Sequence, residues 1–397
     1  LSSGLLQAAV KCNGKGRGEY FLSFDGKRVL QGSCALGETC SIEERVEAPR
    51  LWSAETPHLY TLVIKVYDQE GQLREIIKEQ VGFRRFEIKD SVMYLNNQRI
   101  VFCGVNRHDF SSIFGRAITK EEMEKDLRIM KQNNINGVRT SHYPNSSWLY
   151  RLCDRYGLYV IDECNMETHG SWSTYSLSGD LDYVLPKDQE QWQDLLLERV
   201  RGMVERDKNH PSILIWSCGN ESFGGRVIYE MSQLFRRLDP HRPVHYEGIF
   251  NDRSYPDTSD IESQMYTPAE EIQAYLKEHR DKPFICCEYA HCMGNSLGAM
   301  YKYTDLADTE VLYQGGFIWD FIDQSLRSKN RYGEEYQAYG GDFLERPTDF
   351  DFSGNGILDG NRRPYEKMQE VKFCYQGLSI RICHRERSFW IKTRFLF

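Results

Sequence analysis

The chain changes its hydrophobic rhythm twice. Residues 1 to 88 run as short segments in which apolar and polar positions alternate, among them "EYFLSF" and "HLYTLVIKVYD", broken by Gly and Asp turns and without a helical period. Patterning with period two predicts antiparallel strands with one face buried, and hence a small β-sandwich. From 89 to 372, and plainly from about residue 96, apolar strand-like runs alternate with amphipathic helices. Over 373 to 397 the strand-like alternation returns in "LSIRI" and "FWIKTRFLF", which read as the first strands of a further sandwich cut short.

The middle region supplies eight strand candidates: "RIVFCGVN", "GVRTSH", "YVIDECNM", "ILIWSCGNE", "PVHYEG", "IESQMY", "FICCEYA" and "GGFIWDFID". Helices are expected between them. In the one predicted over 120–134, Met123, Leu127 and Met130 share a face, and Thr119 with Glu122 forms a capping box. Eight strands alternating with helices over this length predict an α/β fold, a (β/α)8 TIM barrel. A doubly wound open sheet is the competing arrangement, but no G-x-G-x-x-G follows the first strand.

Barrels of this kind carry their chemistry at the C-terminal ends of the strands, so a polar residue that closes an apolar run is aimed at the site. His108 follows the first strand, His142 closes the second, and Asp162, Glu163, Glu167 and His169 lie on or after the third. Asn220 and Glu221 end the fourth, Tyr266 the sixth, Glu288 and His291 the seventh, and Trp319 with Asp320 the eighth. Taken singly, each has a structural explanation. A lone Glu after a strand is more often a cap or an ion-pair partner, a lone His a satisfied polar group, and a lone Trp a core residue. Asp162 and Glu163 read as readily as ion pairs that close the barrel, and Tyr266 and Asp320 stay open between structure and function. Convergence is what favours chemistry. Glu221 and Glu288 close strands four and seven, on facing sides of one mouth, and paired carboxylates across a cavity are what glycoside hydrolysis needs. One protonates the departing oxygen while the other attacks or stabilises the oxocarbenium-like carbon, with a separation of about 5–5.5 Å in the retaining case.

Composition narrows the setting. A net charge of -8 without a long basic run argues against nucleic acid or an anionic membrane as the partner. No apolar run is long enough to span a membrane. The twelve cysteines contain no C-x-x-C, and Cys103, Cys164, Cys218, Cys286 and Cys287 sit inside apolar runs, so buried free thiols in a reducing cytoplasm are the better reading. The N-terminus has no initiator Met and no signal-peptide pattern, as expected of the interior of a longer protein.

Several stretches point further when taken together: "CGNES" at 218–222, "CEYAHCMGNS" at 287–296, "RTSHYPNS", "DECNMETHGSW" and "GGFIWDFIDQSL". In this order and spacing they closely resemble the β-galactosidases of glycoside hydrolase family 2. The resemblance covers nearly the whole chain, because "LWSAETPHLY" at 51–60 is similar to that family's immunoglobulin-like domain just before the barrel. It implies an immunoglobulin-like domain over 1–88, a catalytic barrel over 89–372 and the start of another sandwich over 373–397. The family's N-terminal jelly-roll and its later domains lie outside the sequence.

The resemblance implies a role for each matching residue. Glu221 is the expected acid/base and Glu288 the nucleophile that forms a covalent galactosyl intermediate. Asn220 is expected at the sugar 2-hydroxyl, and Tyr266 beside Glu288. His108, His142 and His291 match positions that bind sugar hydroxyls or stabilise the transition state, and Trp319 matches the aromatic platform under the galactosyl ring. Glu167, His169 and Glu221 match ligands of a magnesium ion. The first two stand two residues apart, so on extended backbone they point the same way, and oxygen-rich ligands suit Mg²⁺ or Mn²⁺; a plain Glu–His hydrogen bond is the alternative. A sodium site is implied as well, with ligands unassigned, and the full-length protein is expected to be a homo-oligomer. The substrate expected is a β-galactoside such as lactose. A β-glucuronidase or β-mannosidase on the same scaffold, or a barrel that binds carbohydrate without catalysis, are the alternatives. No Asn-x-Lys motif suited to a glucuronate carboxylate occurs late in the barrel. After "GNES" the chain reads Phe223-Gly224-Gly225, a departure that bears on the acid/base loop.

Overall fold

The computed structural model describes residues 2–172, 179, 181–383 and 388–397. The first six strands are β1 (Ser3–Lys11), β2 (Gly16–Phe24), β3 (Lys27–Leu36), β4 (Thr39–Glu47), β5 (Tyr60–Tyr67) and β6 (Leu73–Val81). They form two antiparallel sheets, β1–β4 and β3–β2–β5–β6. The alternating residues Leu6, Ile42 and Val46 from one sheet and Leu22, Leu62 and Ile64 from the other fill a shared core, which is the sandwich that the period-two pattern predicts. One cysteine reading is corrected here. Cys34 and Cys40 are joined as a disulfide, because facing positions on β3 and β4 bring their Cα atoms to 6.6 Å. The other ten cysteines are unpaired, and Cys164, Cys218, Cys286 and Cys287 are buried as expected.

A short three-stranded sheet follows, with β7 (Phe86–Lys89), β8 (Val92–Leu95) and β9 (Gln98–Arg99). Its Phe86, Met93 and Leu95 join Trp52 and Ile100 in one cluster with Phe102, Ile161, Ile215, Ile285 and Phe317 of the barrel. The sheet therefore stoppers the N-terminal end of the barrel. Gln314 fastens it there, donating to the carbonyls of Met93 and Ile100 and accepting from Met93 N–H.

The eight barrel strands are β10 (Phe102–Arg107), β11 (Gly137–Thr140), β12 (Tyr159–Glu163), β13 (Ile213–Ser217), β14 (Val244–His245), β15 (Glu262–Met265), β16 (Phe284–Tyr289) and β17 (Tyr313–Ile318). All pair in parallel in the order β14–β13–β12–β11–β10–β17–β16–β15. The ring is completed between β14 and β15 by Asp260, whose N–H donates to Val244 O at 2.8 Å and whose carboxylate accepts from Val244 N–H at 2.7 Å. Every residue of β11, β12, β13, β16 and β17 is buried, since helices cover one face and facing strands the other.

The helices that lie wholly among the described residues are α1 (Lys120–Gln132), α2 (Ser147–Tyr156), α3 (Gln193–Asp207), α4 (Arg226–Leu238), α5 (Ala269–Glu278), α6 (Tyr301–Thr309) and α7 (Met368–Cys374). The Thr119–Glu122 capping box starts α1 as predicted. Between β14 and β15 there are only short 3-10 turns, at Glu247–Phe250 and Pro256–Thr258, so the link there is a loop. An antiparallel pair, β18 (Leu326–Lys329) and β19 (Glu335–Ala338), follows β17. A second, β20 (Leu378–Cys383) and β21 (Ser388–Thr393), ends the chain with Ile380, Ile382, Phe389 and Ile391 exposed. Among the described residues no helix is long and apolar enough to cross a membrane.

Candidate active site

A cavity of about 600 Å³ lies at the stoppered end of the barrel, lined by Phe102, Tyr159, Tyr313 and the terminal Phe395–Phe397, and it holds none of the expected groups. The charged and polar side chains gather at the other end, around an arginine. Arg139 on β11 is wholly buried and uses its donors on four partners. It makes a forked pair with Glu163 (2.8 and 3.0 Å) and donates to Asn106 Oδ1 (3.0 Å), Glu288 Oε1 (2.9 Å) and Asn220 Oδ1 (2.8 Å). A planar fork with five fixed donors is the side chain that can hold strands β10, β11, β12 and β16 and the β13 loop at once.

Glu288 is thereby held at both oxygens. Arg139 donates to Oε1, and the Tyr266 hydroxyl donates to Oε2 at 2.8 Å. Tyr266 stands at the end of β15 with φ 55°, and its N–H donates to Glu288 O at 2.9 Å, which turns the ring towards the carboxylate. Burial, then the charge of Glu288, drives the Tyr266 hydroxyl well above its ordinary pKa, so it remains a donor.

Glu221 is placed differently. It lies on the loop after β13 with φ 34°, a left-handed conformation costing a residue with a Cβ about 1–3 kcal/mol. Its N–H donates to the carboxyl group of Glu247 at 2.7 Å, which burial raises to about 8, and its own Oε2 lies 3.3 Å from His169 Nδ1. Burial first, and then the charge of Glu288, raises Glu221 to about 7. Two carboxyl groups across one mouth thus have unlike surroundings. One is gripped by two donors, and the other carries a proton near neutrality.

An aromatic wall closes one side. His142 stacks on Trp319 with ring centres 5.1 Å apart and planes at 6°, and His108 meets both rings edge-on at 5.8 and 5.6 Å. His142 Nδ1 lies 2.8 Å from Glu163 and its Nε2 3.7 Å from Glu288. Burial lowers both imidazoles to about 3, so they are neutral. His291 follows β16 with its ring 5.9 Å from Tyr266 and 6.0 Å from Phe352, and burial lowers it too. Asn220 Nδ2 donates to Glu167 at 3.3 Å, which leaves its second amide hydrogen for another acceptor.

Not all rim residues face the mouth. Asp162 accepts from the Tyr150 hydroxyl at 2.6 Å and from Thr140, so it is bound into the barrel wall. Glu163 is the ion-pair partner of Arg139. Asp320 is buried, accepts from Gln324 through Oδ2, and leaves Oδ1 without a partner. Glu167 engages Asn220 while His169 faces Glu221. Among the described residues, no three His, Cys, Asp or Glu side chains are drawn close enough to hold a metal as they stand. Glu167 and His169 line a cleft of about 510 Å³, and with Glu221 they offer two carboxyl groups and an imidazole, a donor set that suits a hard divalent cation.

Arg139, Asn106 and Glu247 do not come out of the strand-end rule as applied to the sequence. Two signals were available: an Arg inside the otherwise apolar "GVRTSH", which must be paired if buried, and the Glu that closes "PVHYEG" on the fifth strand.

Comparison with known proteins places the chain in a family. Residues 86–380 match the model for the glycosyl hydrolases family 2 TIM barrel domain, and residues 21–84 match another model of glycosyl hydrolases family 2. The chain is 54% identical over 343 residues to a "Beta-galactosidase" of Halalkalibacterium halodurans, covering 86% of this chain and 34% of that protein. It is 47% identical over 402 residues to one of Streptococcus thermophilus, covering 96% and 39%. It thus spans about a third of the length of these relatives. Among solved structures, a Ruminococcus gnavus β-glucuronidase in complex with uronic isofagomine superposes with a TM-score of 0.76 at 19% identity, covering 94% of this chain and 66% of that one, which speaks for the fold alone. With a family model spanning most of its length, the chain belongs to glycosyl hydrolases family 2.

Proposed function

We propose that this chain is the catalytic part of a retaining β-galactosidase that removes terminal β-D-galactosyl residues from β-galactosides such as lactose. The observation that carries the reading is the unlike treatment of the two carboxyl groups. Glu288, gripped by Arg139 and Tyr266, suits the nucleophile that attacks the anomeric carbon. Glu221, raised to about 7, suits the acid that protonates the departing oxygen and the base that then activates water. Asn220 offers its free amide hydrogen to the sugar, the neutral His108, His142 and His291 offer hydrogen bonds to its hydroxyls, and Trp319 gives it an apolar face. The galactoside preference rests on relatives at about 50% identity that are described as β-galactosidases. Ten unpaired cysteines against one Cys34–Cys40 pair favour a cytoplasmic setting.

Hydrolysis of a chromogenic β-galactoside, β-glucuronide and β-mannoside series by the complete protein, with the product anomer followed by NMR, tests this reading. A preference for galactoside with β-configured first product is expected; a preference for another sugar, or inversion, overturns it. Glu167, His169 and Glu221 are further proposed to hold Mg²⁺ or Mn²⁺, which when bound supplies positive charge beside Glu221. Calorimetric titration of the metal-free protein with Mn²⁺ should show one site that Glu167→Gln and His169→Ala each weaken.

A further inference from the structure

The loop that bears Glu221 is an unfavourable one for its sequence. Glu221 and Phe223, both with side chains, take left-handed φ values of 34° and 58°. Such a loop keeps its shape only if its surroundings over-determine it. The surroundings here are four consecutive residues at the end of β14. His245 O accepts from Cys218 N–H at 2.9 Å, and the Tyr246 hydroxyl accepts from Ser222 N–H at 3.3 Å and donates to Phe223 O at 3.2 Å. Glu247 Oε1 accepts from Glu221 N–H at 2.7 Å. Gly248 packs so closely that a Cβ there would stand 2.2 Å from Phe223 O. Only the Glu247 contact touches the acid/base residue itself.

We infer that Glu247 is the positioning residue of the acid/base: its carboxyl oxygen anchors the Glu221 N–H and so fixes the left-handed turn that aims the Glu221 side chain at the glycosidic oxygen. The inference rests on the proposed role of Glu221. The requirement is for an acceptor oxygen at this place, so an amide should serve nearly as well as a carboxyl group. Without an acceptor, the partly buried Glu221 N–H loses its partner, and the loop relaxes towards ordinary φ values. Proton donation then fails while the grip on Glu288 stays.

The complete protein is assayed on aryl β-galactosides whose leaving groups span a wide pKa range. Glu247→Met should lose about 100-fold in kcat/KM, the scale of a misplaced catalytic group, with the poorest leaving groups, and much less with the best, which need no acid. Its transition of unfolding should remain cooperative, and azide should restore turnover with activated substrates. Glu247→Gln should recover most of the rate across the series. Tyr246→Phe, a milder cut in the same cradle, should steepen the leaving-group dependence to a smaller degree. An equal loss for every leaving group in Glu247→Met and Tyr246→Phe, or a loss in Glu247→Gln as deep as in Glu247→Met, overturns the inference. Glu221→Gln is run beside them. If it leaves the leaving-group dependence flat, the acid/base assignment itself falls; if it steepens the dependence and Glu247→Met does not, only the positioning role falls.

Discussion

The two ends of the barrel are built from the same strands and solve opposite problems. At the N-terminal end Phe102, Ile161, Ile215, Ile285 and Phe317 pack against Trp52, Phe86 and Met93 in a wholly apolar cluster. At the C-terminal end, a few residues along the same strands, Asn106, Arg139, Glu163 and Glu288 form one hydrogen-bonded group, continued by Ser217 and His245. The apolar end is stabilised by loss of water and close packing. The polar end is costly to build, because each buried charge must be paired, and it holds its carboxylates in fixed geometry. Stability and chemistry are therefore separated along the barrel axis, and substitutions at the two ends should fail in different ways.

The largest difference should come from Glu288→Gln in the complete protein. Turnover of a galactoside is expected to fall on the order of 10⁴-fold or more, while binding of a galactose-like inhibitor and the melting temperature change little. Near-normal turnover would break the comparison at its centre. Arg139→Met should be harmful in both respects. It leaves Glu163 and Glu288 buried without their partner, which costs about 3–5 kcal/mol, and it frees Glu288 from one of its two donors. Phe317→Ala at the opposite end should cost a similar ~3–5 kcal/mol in denaturant unfolding, yet leave kcat and its pH profile close to normal wherever the protein is folded. A change of pH profile in Phe317→Ala would show that the two ends are coupled.

A smaller effect concerns protonation. With Glu221 raised to about 7, kcat/KM should decline as pH rises past that value, because the acid form is lost, and Glu221→Gln should remove this limb. The same shift has a stability consequence. A carboxyl group whose pKa is higher folded than unfolded stabilises the fold fully below its ordinary value of 4.5 and ceases to do so as pH rises through about 7. Glu221→Gln should accordingly melt higher than the parent at pH 8 and show little gain at pH 4. An equal shift at both pH values would mean that burial of the Glu221 charge is not what sets its pKa. The smallest expected effect is that of chelation, which should lower the rate partially, with recovery on addition of Mg²⁺ or Mn²⁺.

Much of this was legible in the chain, and the parts that were not have a common cause. The eight barrel strands, the α1 capping box and the positions of Glu221 and Glu288 at strand ends follow from periodicity and residue type, which act over a few residues. The six N-terminal strands follow from the same alternation that buries Leu22 and Leu62. Ring closure at Asp260, the Cys34–Cys40 pair and the stoppering sheet that fastens on Gln314 depend on which segments meet, and no local pattern encodes that.

The sequence by itself determined the kinds of group available at the rim and the strand each one stands on, because side-chain direction on a strand is fixed by the backbone. Only the tertiary structure decided what those groups became. Asp162 turned into a wall residue through Tyr150, Glu163 into the counter-ion of Arg139, and His142 into a neutral ring stacked on Trp319. The proton on Glu221 was decided there too, since it comes from exclusion of water and from the charge of a residue on another strand. Electrostatics act through space, and the chain order does not contain those distances.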